Sequence, residues 1–316
     1  MVKLPKNLYK YLSYNENTVQ SILERKSYYS DPAVFNDPLD CKPVVVVDVD
    51  LETLKSVACT LIKKRSEKEI ALIARKLKVR GDFADNRTRI LSNSEIDGFL
   101  KDVEYNSKDP QVNDRNWYRE ERFRSSIENE IVSVFKTGVL CLSRRYDSPL
   151  MWSHYSNNHN GLCIEYDMSR APEDKARKII YGGSRELKVS VIERWLKEGD
   201  VIEEIKNVCL LTKSREWAYE NEWRMFDSIG LRSSYPPIRS IIFGMRCKGS
   251  TISAVIKLLN GSLSKIKYWK IEVEGGGFRL KRKKINPEEY QNSYFDALSL
   301  SEIEEAFDDL NQDENH

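Results

Sequence analysis

Short apolar runs with period-two alternation flank a long central stretch whose apolar residues recur at helical spacing. Leu8-Tyr-Lys-Tyr-Leu12 predicts a strand, Asn15 to Glu24 a helix capped near Asn15 or Asn17, and Ser27 to Ser30 a second strand. Between Asp31 and Asp40 two prolines and four Asx residues predict turns. The valine run at 44–47 reads as a buried strand end. Leu51 to Ala74 is helical in pattern, Gly81 to Asn93 breaks it, and Arg119 to Phe135 resumes with Phe123, Ile127, Ile131, Val134 and Phe135 on one stripe. Strands are then expected at Val139–Ser143, Gly161–Tyr166, Ile179–Tyr181, Ile238–Gly244, Ile266–Val273 and Phe278–Lys281. Helices are expected after Pro149, over 185–213 and over 250–259. The fold class that follows is α+β: a mixed or antiparallel sheet flanked by helices. One domain over 1–285 would contain a helical insertion at about 51–136, with the strands of residues 8–47 pairing with those after 139. An acidic tail over 286–316 reads as disordered or loosely docked.

Alternation is most informative at Trp217-Ala-Tyr-Glu-Asn-Glu-Trp-Arg224. Read as a strand, it puts Glu220, Glu222 and Arg224 on one face and Tyr219, Asn221 and Trp223 on the other. Three ionisable groups on one face are costly to bury unless they pair or meet a polar ligand, so the segment is either an ion-pair lattice or part of a site.

Composition narrows the functional classes. A net charge of +2 from 51 bases and 49 acids gives no overall field toward nucleic acid or membrane. The six cysteines form no CxxC pair and lie mostly in apolar runs, as reduced core thiols do. Only three histidines occur, so no metal is expected. No apolar stretch approaches the length of a signal peptide core or a membrane span, which predicts a cytoplasmic protein with no membrane partner.

Several residues could carry chemistry. Asn36, Asp37 and Asp40, beside Asp31, could hold a cation, a ribose or a basic acceptor, or could cap their own turn. Trp152, His154 and Tyr155 follow Pro149 on one helix. His154 is the best general acid or base the chain offers, and a core histidine bonded to backbone is the competing reading. Gly275-Gly-Gly277 precedes no helix and reads as a loop rather than a phosphate cradle. The basic clusters Lys63–Arg65, Arg144–Arg145 and Lys281–Lys284 read as solvated surface or phosphate contacts. Tyr268-Trp269-Lys270 and Trp117-Tyr118-Arg119 interleave aromatics with bases, as cores and nucleic-acid surfaces both do.

Four segments together resemble a bacterial family known only as domain of unknown function 2971: Leu8–Tyr11; Tyr29-Ser-Asp-Pro with Phe35–Asp40; Leu142-Ser with Met151–Tyr155 and Gly161–Tyr166; and Trp217 with Glu220, Glu222 and Arg224. That resemblance spans residues 8 to about 245 and implies no activity. The order of polar clusters is also similar to the ADP-ribosyltransferase arrangement, in which an early strand carries a basic or histidine side chain, a middle strand Ser or Tyr, and a late strand a catalytic Glu within Glu-x-Glu. The matching residues are Lys10 with Tyr11, Ser143, and Glu220-Asn-Glu222. Lys10 departs from the usual Arg or His.

What this likeness implies is an NAD-consuming toxin or antiphage enzyme, with NAD as substrate, a protein or nucleic-acid acceptor and a partner protein from the same defence system. Glu222 would stabilise the oxocarbenium-like transition state, with Glu220 and Arg224 positioning groups. Lys10, Tyr11, Asn36, Asp37, Ser143, Trp152, Tyr155 and Trp217 would shape the pocket. Two alternatives stay open: a metal-dependent nuclease using Asp37, Asp40 and the two glutamates, and a non-enzymatic sensor or partner-binding module.

Overall fold

The computed structural model describes residues 2–78, 82–233, 236–259 and 266–292. In chain order, β1 (Asn7–Leu12), α1 (Glu16–Leu23) and β2 (Lys26–Tyr29) precede β3 (Val44–Val46) and three long helices, α2 (Leu51–Lys76), α3 (Asp82–Asn106) and α4 (Arg115–Val134). Next come β4 (Gly138–Ser143), α5 (Pro149–Tyr155) and β5 (Leu162–Asp167), then the short β6 (Arg177–Lys178), β7 (Ile180–Tyr181) and β8 (Glu186–Lys188). α6 (Val189–Glu198), α7 (Ile202–Lys206) and β9 (Thr212–Lys213) lead to β10 (Glu222–Asp227), β11 (Gly230–Ser233) and β12 (Ile238–Phe243). α8 (Gly249–Leu259), β13 (Lys267–Val273), β14 (Leu280–Lys284) and α9 (Pro287–Asn292) close the described chain, and most of the expected acidic tail lies outside the described residues. The class is α+β.

The described residues form two compact units: one gathers those up to Tyr29, Leu140–Arg177 and those from Tyr219 on; the other comprises those of Ser30–Val139 and Lys178–Ala218. The first unit is built on a sheet of order β14-β13-β12-β5-β1-β4-β10-β6, whose last strand lies where the chain passes to the second unit. β1 is antiparallel to β4 and β5, whereas β12 and β13 are parallel and joined through α8, so the sheet is mixed. Alternation sorts its side chains into two faces. Leu8, Leu142, Ile164, Trp223, Ile241 and Phe243 pack in one core with Ile22 of α1 and Ile252, Val255 and Ile256 of α8. Tyr9, Tyr11, Cys163, Ile242 and Ile271 face the other way and pack with Met151 and Trp152 of α5. The second face is the one that holds the buried charges.

In the second unit α2, α3 and α4 share a core of Leu54, Val57, Leu61, Val103, Phe123, Ile127 and Ile131, to which α6 adds Ile192 and Trp195. Asp50 and Asp114 cap α2 and α4 by accepting N–H bonds from Thr53 and from Asn116 and Trp117. Arg65 of α2 ties in α4 through Glu130 at 2.8 Å and α3 through Glu95, and it also pairs with Glu69 of its own helix at 3.1 Å.

Two expectations are corrected. Residues 217–220 are not strand: Arg215–Glu220 is a 3-10 helix, and β10 starts only at Glu222, after Asn221 at φ 45°. Asparagine enters this left-handed region more readily than other side chains, and here it reorients the chain between helix and strand. The expected break over Gly81–Asn93 is likewise helical from Asp82 on, because polar residues such as Arg87 sit on a helix surface exposed to water. Each early strand does pair with a segment beyond residue 139, though β2 pairs β11 and β3 pairs β8 in separate small sheets. Among the described residues all six cysteines are free thiols, and no helix is long and apolar enough to cross a membrane.

Candidate functional site

Ser148 starts α5 by capping Met151 N–H, and Pro149 occupies the first helical turn where its missing N–H costs nothing. The helix thereby lays Trp152 into the core, fully buried with its indole N–H donated to the Tyr146 carbonyl at 2.7 Å. Tyr11 packs edge-on against that ring at 5.1 Å and donates its hydroxyl to the Arg145 carbonyl at 2.9 Å. Trp152 and Tyr11 are thus support, and burial pushes the Tyr11 hydroxyl well above its ordinary pKa.

His154 and Tyr155 point from α5 toward the 3-10 turn. The Tyr155 hydroxyl donates to the Glu220 carboxylate at 2.6 Å, and His154 Nδ1 lies 3.0 Å from the Tyr219 hydroxyl. Glu220 is only 3% exposed, while Tyr155 and Tyr219 are half-buried and His154 is exposed. Ser143, at the end of β4, donates its hydroxyl to the Glu220 carbonyl at 2.6 Å and accepts the Arg145 N–H at 3.0 Å. A further bond from Arg144 N–H to the Asn221 carbonyl at 3.0 Å fastens the turn to β4.

Two residues on, Glu222 and Arg224 share the polar face of β10. Arg224 Nε donates to one Glu222 oxygen at 2.8 Å and a terminal nitrogen to the other at 3.3 Å, with both side chains almost wholly buried. Across the neighbouring strand, burial raises the Cys141 thiol pKa, and the Glu222 carboxylate raises it further. Cys141 stays a thiol.

A third cluster on the same face escapes sequence reasoning. Glu165 of β5, 1% exposed, accepts from Tyr9 at 3.2 Å, from Ser240 and from Arg282 at 3.0 Å. The Arg282 guanidinium lies over the rings of Tyr146 at 4.9 Å and Trp269 at 4.6 Å. Burial, then the charge of Glu165, raises the Tyr9 hydroxyl pKa. The signal was present: Glu165 is the one acid in the apolar run Leu-Cys-Ile-Glu-Tyr of β5.

Among the expected site residues, the first unit joins Ser143, Tyr155 and Glu220 by direct hydrogen bonds and sets Glu222 with Arg224 on the adjoining strand. Lys10 pairs with Ile164 and by alternation belongs to the opposite, apolar face. Asn36, Asp37, Asp40 and Trp217 belong to the second unit. There Asp37 caps its own turn, accepting the Leu39 N–H at 2.9 Å. Asp40 is buried 3.5 Å from the Lys213 ammonium, which sits 5.0 Å from the centre of the Trp217 ring. Among the described residues no three of His, Cys, Asp and Glu gather as a metal centre would need.

A family model described as protein of unknown function (DUF2971) matches residues 151–225, a segment that holds the Tyr155–Glu220, His154–Tyr219 and Glu222–Arg224 pairs. No curated protein and no solved structure matches the chain.

Proposed function

We propose that the first unit cleaves the nicotinamide glycosidic bond of NAD, as an ADP-ribosyltransferase or NAD hydrolase, at the turn joining Tyr155, Glu220 and His154. The observation that carries this reading is the 2.6 Å bond from Ser143 to the Glu220 carbonyl, which ties the end of β4 to the 3-10 turn that leads into β10, its neighbour in the sheet. β1, β4 and β10 lie side by side in the sheet, which supports the reading for Ser143 and Glu220, while Lys10 of β1 belongs to the opposite face. In this reading the C1′–N bond breaks with its electron pair leaving on nicotinamide, and the Glu220 carboxylate, oriented by Tyr155, stabilises the oxocarbenium charge on the ribose. An acceptor hydroxyl or water then adds to C1′ and loses its proton to His154. The Glu222–Arg224 ion pair follows at the start of β10, two residues beyond Glu220.

A second reading, a partner-binding module without chemistry, draws on the burial of Glu222 and Arg224, which fits a structural ion pair. One experiment separates the two. The full chain is incubated with NAD, with and without protein and nucleic-acid acceptors, and free nicotinamide is quantified. Release by the natural chain that falls by a factor on the order of a hundred in Glu220→Gln, with an unchanged melt, supports chemistry at Glu220. No release under any condition leaves the binding module.

A further inference from the structure

The basic cluster Lys281–Lys284 and the aromatic-basic run Tyr268-Trp269-Lys270 meet in the hairpin of β13 and β14, at the edge of the large sheet. The register sets Trp269 opposite Lys284 and Lys270 opposite Lys283. From Lys267 to Lys284 the sequence carries seven bases against two acids, on a chain whose whole net charge is +2. Arg279, Lys281, Lys283 and Lys284 are exposed. Lysines on an edge strand also guard against unwanted pairing, which accounts for the charge alone. They do not account for Phe278, 97% exposed beside the glycine tip and more exposed than any other large apolar side chain among the described residues.

We propose that this hairpin is a docking surface for single-stranded nucleic acid. Phe278 offers a π-face on which an unpaired base can stack, and the bases of β14 follow it along one extended strand of about 20 Å to track a phosphate backbone. The platform is rigid. Arg282 is held inward between Tyr146 and Trp269 and bonded to Glu165, fixing β14 on the sheet, so little ordering is required when the strand binds. A duplex fits less well, because its bases are already stacked. A lipid surface also fits less well: the tip offers Phe278 beside three glycines and Glu274, and the cations run away from it along the strand. The inference is independent of the NAD reading and needs no turnover.

The test measures anisotropy of a labelled oligothymidine of about a dozen residues with the full chain across a salt series. Binding is expected, with a log–log salt slope between about −2 and −3 from up to four neutralised phosphates. Phe278→Ala should weaken it about tenfold, and Lys281→Ala with Lys284→Ala should flatten the slope by about 1.4. These exposed positions leave the melt unchanged, so loss of binding cannot be assigned to unfolding. Equal affinity of all variants, no binding at low salt, or sedimentation with anionic vesicles in place of oligonucleotide binding overturns the proposal.

Discussion

At the scale of single residues, the buried charges on one sheet face decide what substitution costs. Arg224 has no exposed surface and donates two hydrogen bonds to Glu222. Glu222→Gln keeps the shape but withdraws the opposing charge, leaving a guanidinium in a low-dielectric site. A loss of about 3 kcal/mol is expected in urea unfolding. A change below about 1 kcal/mol would show that Arg224 is compensated by its other neighbours. The sequence made this pair legible, since alternation puts residues two apart on the same face of β10. It marked Glu165 as a lone acid in an apolar run but left its partners hidden, because Tyr9, Ser240 and Arg282 come from three other strands, and register across a sheet cannot be read from one strand's pattern.

At the scale of elements, close backbone approach sets the tolerance. The chain leaves α5 through Asn157, Asn158 and His159, all at positive φ, and returns at Gly161 into β5. A Cβ on Gly161 would lie 2.2 Å from the Leu12 carbonyl oxygen at the end of the β1–β5 ladder, and backbone cannot yield as a flexible side chain does. Gly161→Ala should therefore destabilise the first unit by roughly 1–3 kcal/mol. Gly98 gives the opposite sign: it sits in α3 with nothing within 4 Å, so Gly98→Ala should stabilise by about 1 kcal/mol through helix propensity. Denaturant midpoints of the two variants check both, and a stable Gly161→Ala would mean that β1 and β5 separate freely. Strands and helices with a full period of pattern were legible, including α1, α2, α4 and β12. The 3-10 turn at 215–220 was not, because its aromatic and acidic residues satisfy strand alternation equally well, and only the left-handed Asn221 ends that alternation.

At the scale of the whole molecule, the two units interleave along the chain, so local pattern shows the helices but not which segments fold together. Their electrostatics differ too, and this predicts the order of acid unfolding. In the second unit hydrogen bonds from Lys108 and Arg119 lower the Glu104 pKa, those from Arg124 lower Glu121, and the Thr53 backbone N–H lowers Asp50. Burial works against Glu95, yet its bonds to Arg65 and Ser66 leave it lowered. A carboxylate whose folded pKa is depressed gives stability that is present above the unfolded value and lost as pH falls through the folded one, here below about 4. Glu130 has the opposite sign: burial raises its pKa, so acidification relieves its cost, although protonation also weakens its hold on Arg65. In the first unit the lowered carboxylates include Glu24 and Asp167, both near the surface, while the apolar core carries the sheet. Hydrogen exchange followed by peptide while pH is stepped down through 4 should therefore open α2, α3 and α4 before β1 and β5. Exchange that begins in β1 and β5 while those helices stay protected would mean that the ion pairs around Arg65 and Arg124 contribute nothing net, as exposed pairs often do.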